Sequence, residues 1–150
     1  LCADFVGDKI RVADGILFGT DTAAANTLDD YEEGTWTASF SGTTSTPGNA
    51  EAFYAKIGNV VYVYWYSGAC TFASSTGAAQ ILGLPYTISG NGYSTFHYHH
   101  GVGVDGDTRG GYFMVGTTKM QFIDKDSTNH ATYVDGSSKY LMISGFYMAA

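Results

Sequence analysis

The chain is poor in proline, cysteine and basic side chains. Its 150 residues include two prolines, two cysteines and seven lysines and arginines, against fourteen aspartates and glutamates. So few basic residues form no stripe of the kind that binds phosphate backbones, so we do not expect a nucleic acid partner. The sequence also lacks any run of about 18 apolar residues, which excludes a predicted membrane-spanning helix.

Cysteine and catalytic motifs are equally scarce. Cys2 and Cys70 are too few for a disulfide framework, so we expect Cys70 to be a small buried hydrophobe and Cys2 an incidental thiol. No G-x-S-x-G, H-E-x-x-H or Cys-x-x-Cys pattern occurs. The densest carboxylates lie at 29–33, in what we read as a solvated acidic turn rather than a glycosidase pair. We therefore predict a protein that is not an enzyme and needs no cofactor.

Glycine, tyrosine and phenylalanine are abundant, with 20, 12 and 9 copies. Short stretches with a period of two alternate with glycine- and asparagine-rich turns, which predicts an all-β fold, an antiparallel β-sandwich or jelly roll. The predicted strands are Thr35–Phe40, Ala52–Ile57, Val60–Gly68, Ala69–Ala73, Ala79–Leu82, Tyr93–His99, Gly111–Thr117, Met120–Asp124 and Lys139–Met148.

Charge divides the chain into two parts. Residues 1–34 carry eight acidic and two basic residues, whereas residues 35–150 carry six acidic and five basic ones. We read 1–34 as an extended arm or shaft connector and 35–150 as a β-sandwich tip domain. The first residue is Leu1 rather than Met, which favours the C-terminal part of a longer polypeptide. The nearly neutral body, rich in aromatic and hydroxyl groups, suits an uncharged ligand such as a glycan.

The longest predicted strand is apolar on both faces. Val61, Val63 and Trp65 alternate with tyrosines, and the last strand repeats this pattern. An antiparallel sheet in a monomer normally presents polar residues on its second face. Another subunit, an exposed aromatic ligand platform and loops of the same chain are the three ways to account for the second face, and we favour a homotrimer. The predicted trimer interface comprises Tyr62, Tyr64, Tyr66, Met142, Phe146 and Met148.

Two histidines form the strongest metal candidate. His97 and His99 share one face of a predicted strand, and imidazole is a common ligand of transition metals. In a parallel trimer, three such pairs near the axis would supply six nitrogens to one ion. A polar strand end with solvated histidines is the alternative. The segments 105–108 and 124–129 begin like calcium loops but lack the later ligands, so turn chemistry explains both.

Two ordered motifs resemble a known family. Residues 25–37 read ANTLDDYEEGTWT and residues 53–61 read FYAKIGNVV, followed by GLPYT at 83–87 and ISGFY at 143–147. These runs resemble the C-terminal domain of bacteriophage tail fibre and tailspike proteins, where the equivalents read LDDYEEGTWTP and Y-x-KIGN-x-V. Ala38 stands where that family usually has proline. The resemblance implies a virion protein at the distal end of a homotrimeric fibre, joined to an upstream shaft.

The resemblance implies attachment of the phage to a bacterial surface receptor, which we expect to be a glycan, although a protein is also open. Recognition usually lies on loops, and we select the segment Asn91–Tyr112. A purely structural trimerisation or terminator domain and a polysaccharide depolymerase subdomain are the alternatives. The predicted receptor-binding residues are Tyr93, His97, Tyr98, His99, Asp105, Asp107, Arg109 and Tyr112.

Overall fold

The fold is known from a computed structural model, which describes residues 3–6, 9–12, 15, 16, 20, 30–48, 51–99, 103–105, 108, 110–125 and 130–150. These residues form β-strands, turns and irregular segments and contain no helix, as the all-β prediction expected. None of them therefore belongs to a helix that could cross a membrane. The strands are β1 Ala3–Val6, β2 Lys9–Val12, β3 Tyr31–Thr35, β4 Ser39–Ser41, β5 Glu51–Ile57, β6 Val60–Tyr66, β7 Cys70–Phe72, β8 Gln80–Leu82, β9 Thr95–His99, β10 Gly110–Met114, β11 Lys119–Ile123, β12 Gly136–Lys139 and β13 Met142–Met148.

Nine strands form one antiparallel sheet in the order β3-β5-β6-β13-β9-β10-β11-β8-β4. Its two edge strands, β3 and β4, are consecutive in the chain and are separated by residues 36–38 alone. Because so short a link spans at most about 14 Å, the sheet must curl until its edges lie close together. β7 and β12 form a separate pair, as do β1 and β2. The prediction of an antiparallel all-β fold is confirmed.

Aromatic side chains fill the inside of the curled sheet. Phe40 lies edge-on to Phe72, Tyr133 and Trp65, with ring centroids 5.0, 5.3 and 5.7 Å apart. Such edge-to-face pairs add to the stabilisation from burial. Cys70 is buried beside this cluster, as predicted, and its thiol donates to the Lys139 carbonyl at 3.2 Å. Burial raises the pKa of this thiol.

The prediction of one strand over Thr35–Phe40 was wrong, and so was the acidic turn before it. The acidic run is itself a strand, since β3 pairs with β5 from Tyr31 to Thr35. The chain then leaves the sheet at residues 36–38, and Ser39 begins the opposite edge. Trp36 is buried at this crossing, where its indole N–H donates to the Phe53 carbonyl at 3.3 Å.

Close approach at the crossing requires a glycine. Gly83 has φ of +90°, and a Cβ there would lie 2.1 Å from the Thr37 carbonyl oxygen. Both its conformation and the lack of space exclude other residues. This glycine lets the segment after β8 lie close against the link that joins the two sheet edges.

Most other predicted strands match within three residues at either end, while β12 was missed. The sequence of β12, Gly-Ser-Ser-Lys, carries no hydrophobic alternation and reads as a turn. The proposed division at residues 34 and 35 stays a prediction, although sheet pairing already begins at Tyr31. Cys2 lies outside the described residues.

Candidate functional site

The convex side of β5, β6 and β13 carries large apolar side chains that remain partly in solvent. Tyr62 is 51% exposed and Phe146 54%, whereas Val61 and Trp65 on the opposite face of β6 are fully buried. The predicted two faces of β6 are therefore confirmed. We call the exposed side the aromatic face, and its members are Phe53, Ile57, Tyr62, Tyr64, Phe146 and Met148.

The register of β5, β6 and β13 places these side chains in neighbouring rows that run across the strands. Phe53 pairs with Tyr64, and their rings lie nearly parallel with centroids 6.5 Å apart. In the next row Tyr62 pairs with Phe146, at 5.9 Å between ring centroids. The small Ser144 opposite Tyr64 leaves a groove of about 440 Å³ between the rows. Cross-strand contacts of this kind stabilise a sheet.

All six residues of the predicted trimer interface lie on this side of the sheet. Tyr66 pairs with Met142 at one end of the β6–β13 ladder, and Met148 pairs with Val60 at the other. Sequence reasoning missed the contribution of β5, namely Phe53 and Ile57. The alternation along β5 was the available signal, since Phe53, Ala55 and Ile57 lie two residues apart in turn and therefore share one face of the strand.

The two predicted metal-ligating histidines continue the same side of the sheet. His97 pairs with Ser144 and His99 with Met142, and both are exposed on β9. Together with Tyr64 they border a depression of about 340 Å³. The described part of the chain holds no group of three or more His, Cys, Asp or Glu side chains placed to bind a metal ion. Metal binding at the histidine pair would need further ligands, and it stays a prediction.

A third concavity lies over β9, β10 and β11, and His97 is part of its lining. We call it the β9–β11 cleft, and its volume is about 380 Å³. The ring of Tyr93, 75% exposed, lies edge-on to that of Tyr112 at 5.9 Å. The cleft is lined by Thr95, Phe96, His97, Gly110, Gly111, Tyr112, Ile123, Asp124 and Lys125.

A series of side-chain hydrogen bonds, formed on the same side of the sheet, holds Tyr112 in place. Gln80 Nε2 donates to Gln121 Oε1 at 2.8 Å, and Gln121 Nε2 donates to the Tyr112 hydroxyl at 3.3 Å. Gln80 Nε2 also lies 3.6 Å from the sulfur of Met114, which only accepts, so this contact fixes the orientation of both amides. Gln121 Nε2 contacts His130 Nδ1 as well, so that ring nitrogen must be the acceptor.

The eight predicted receptor-binding residues do not share one environment. His97 and Tyr112 line the cleft with Tyr93 beside it, while Asp105 is exposed elsewhere. Tyr98 turns toward the core, where its ring lies edge-on to Phe122 at 5.4 Å. Its hydroxyl donates to the Thr108 carbonyl, and burial raises its pKa. Asp107 and Arg109 lie outside the described residues.

The acidic residues at the β3 edge surround a buried lysine. Lys56 is 8% exposed and forms ion pairs with Asp30 and, at 3.6 Å, with Glu32. The Tyr86 hydroxyl donates to Glu32 at 2.6 Å, and this hydrogen bond raises the pKa of Tyr86. Lys56 Nζ also lies 5.4 Å from the centre of the Tyr86 ring. This cluster attaches the edge strand β3 to the body, because loss of the carboxylates would leave the Lys56 ammonium group buried without a partner.

No known protein family, no curated protein and no solved structure matches this chain.

Proposed function

We propose that this chain is the distal domain of a phage tail fibre or tailspike. In this proposal three copies assemble at the end of the fibre shaft and attach the virion to a bacterial surface receptor, a glycan. The motifs at residues 25–37 and 53–61 support the family. The aromatic face supports the assembly, and it is the observation that carries the proposal.

Burial of the aromatic face would favour association. It contains six large apolar side chains, each between about two fifths and just over half exposed. Burying the part of each side chain that is still exposed would contribute about 1 kcal/mol. The whole face therefore offers about 6 kcal/mol per chain before the costs of association are subtracted. Contiguous apolar surface of this kind marks interaction sites in soluble proteins.

The composition of the face favours a protein partner. Tyrosine, phenylalanine and methionine are enriched in the cores of protein interfaces, and charged residues are depleted there. Phe53, Tyr62 and Phe146 supply the rings, and Met148 supplies an adaptable thioether side chain. Three copies of one chain can each present this face to a neighbour around a common axis.

The β9–β11 cleft supports the adhesive part of the proposal. It lies on the same side of the sheet as the aromatic face, but over β9, β10 and β11, which follow β13 in strand order. A trimer would therefore display three clefts. Three weak sites on one particle bind a repetitive surface far more tightly than one site, because the second and third contacts occur at high effective concentration.

Sedimentation velocity tests the assembly. We expect the wild-type chain of 16.0 kDa to sediment as a trimer, and Tyr62→Ser to shift it toward the monomer. Tyr93→Ser is the matched control, because Tyr93 is also exposed but lies beside the β9–β11 cleft, outside the aromatic face. A folded wild-type monomer at micromolar concentration would refute the trimer.

Labelling of bacterial cells tests the adhesion. The fluorescent trimer should label some strains of a panel that differ in surface polysaccharide, and enzymatic removal of that polysaccharide should abolish the signal. A stable trimer that labels no strain would favour the structural terminator instead. Release of reducing sugar from the polysaccharide would favour the depolymerase subdomain.

A further inference from the structure

The β9–β11 cleft has the dimensions and the walls of a small-ligand site. Its volume of about 380 Å³ falls within the range of about 300–1,000 Å³ that is usual for such sites. One wall is the Tyr112 ring, with the exposed Tyr93 ring against it. Thr95, His97 and Asp124 supply polar groups around the opening.

The hydrogen bonds from Gln80 to Gln121 and from Gln121 to Tyr112 give the Tyr112 ring a fixed position and orientation. Gln121 is 2% exposed, although it lies on the same side of the sheet as Tyr112, and it is held by Gln80. Because Gln121 Nε2 donates to the Tyr112 oxygen, that oxygen retains its own proton for donation. A ring fixed in this way loses little conformational entropy when it binds a ligand.

The charges at the cleft argue against an anionic ligand. Asp124 and Lys125 both line it, so one carboxylate offsets one ammonium group. A phosphate site would instead gather several cations or a helix N-terminus. A purely apolar ligand fits no better, because it would cover the polar groups of Thr95, His97 and Asp124 without forming a hydrogen bond to any of them.

We infer that the β9–β11 cleft binds one pyranose unit of an uncharged glycan, an inference that rests on the proposed function and locates its receptor site. The C–H face of the sugar stacks on the Tyr112 ring. The Tyr112 hydroxyl donates to a sugar oxygen, and Asp124 accepts from sugar hydroxyls. Only the combination of contacts is specific to a sugar, because an alkyl chain has no oxygen to accept from Tyr112 and a phosphate group has no C–H face to stack on its ring.

Binding to immobilised and soluble glycans tests this inference on the full chain. Wild-type protein is first applied to an array of purified bacterial capsular and O-antigen polysaccharides together with common neutral hexose oligosaccharides. The best soluble oligosaccharide is then titrated calorimetrically. We expect Tyr112→Phe and Asp124→Asn each to weaken binding about three- to tenfold, the value of one hydrogen bond.

Two further variants complete the design. Thr95→Arg places a long side chain in the cleft from an exposed position, so it should abolish binding without affecting folding. Tyr31→Phe is the control, because it removes a tyrosine hydroxyl outside the cleft and should leave affinity within twofold of the wild type. Thermal unfolding of each sample verifies that it is folded.

The outcomes separate this inference from the proposed function. If Tyr112→Phe, Asp124→Asn and Thr95→Arg bind like the wild type, the sugar site lies elsewhere and the adhesive function stands without this cleft. If the wild type binds no glycan on the array, the inference is overturned together with the glycan receptor. The trimer is judged independently by its sedimenting mass.

Discussion

The two faces of β6 differ less in hydrophobicity than in what covers them. On the inner face Val61 and Trp65 are fully buried in the curled sheet. On the outer face Tyr62 and Tyr64 have apolar rings of similar size, yet both remain exposed. The hydroxyl at the end of each outer ring lets it lie in water, so a soluble chain can present a face that later packs against a partner.

This difference separates two sources of stability. Contacts of the inner face are complete within one chain, so their contribution does not depend on protein concentration. If the outer face packs against other copies, its contribution follows mass action and rises with concentration. The predictions below test that separation, beginning with the largest expected change in the free energy of unfolding.

Replacement of Trp65 should cost most. Trp65→Ala removes a fully buried side chain from the core, so we expect a loss of about 3–5 kcal/mol in the free energy of unfolding. The neighbouring Tyr64→Ala, on the outer face, should cost under about 1 kcal/mol in dilute protein. Urea denaturation at low concentration measures both. Similar losses for the two variants would refute the difference between the faces.

A second Trp65 variant tests one detail of the inner face. The buried indole N–H finds no hydrogen-bond partner among the residues that the structure describes. Trp65→Phe therefore keeps an aromatic ring while removing an unsatisfied donor, and it should cost much less than Trp65→Ala.

Sequence periodicity predicted the two faces of β6 and β13 because a strand places alternate residues on opposite sides whatever its neighbours. The β3 edge was mispredicted for a physical reason. Clustered carboxylates indicate a solvated turn when read alone, but here Lys56, from β5, pairs with Asp30 and Glu32. That partner lies more than twenty residues away, so local composition carried no sign of it.

The β9–β11 cleft was only partly predictable. His97 and Tyr112 stood out as polar and aromatic residues of the predicted binding segment. Asp124 read as a turn residue, and Gln121 did not stand out at all. Their roles depend on the β10–β11 register, which pairs Gln121 with Tyr112, and on the hydrogen bond between Gln80 and Gln121, which lie 41 residues apart in sequence. Periodicity assigns a residue to one face of its strand. Only the strand order and register show which residues of neighbouring strands lie beside it on that face.

Alkaline pH should destabilise the inner face through its tyrosines. Burial raises the pKa of Tyr147 from 10 to about 12 and that of Tyr133 well above 10. Between pH 10 and 12 the folded state keeps a proton that the unfolded state has released, so stability present below pH 10 is lost as pH rises. For Tyr147 this loss should be about 2 kcal/mol. Urea midpoints measured from pH 8 to pH 12 would detect it.

Tyr147→Phe provides the control for that pH dependence. The hydroxyl accepts from the Tyr86 amide at 3.2 Å and donates to the Tyr86 carbonyl at 3.1 Å. Its removal should lower stability by about 1 kcal/mol at pH 8. The fall in stability above pH 10 should become shallower, and what remains should come from Tyr133, Tyr86 and Tyr98, whose pKa values are also raised. Tyr93→Phe, at an exposed position, should change neither quantity.

The smallest effect in dilute protein should come from Phe146→Ser on the aromatic face, under about 0.5 kcal/mol, because this ring is already half in water. Its effect should grow with concentration. The wild-type Tm should rise between about 1 and 100 μM protein as copies associate, and the variant should lose most of that rise. Differential scanning fluorimetry over this range measures both. A wild-type Tm that is independent of concentration, with a monomer mass throughout, would mean that the aromatic face is not an interface between copies, and its exposed rings would then need a different ligand.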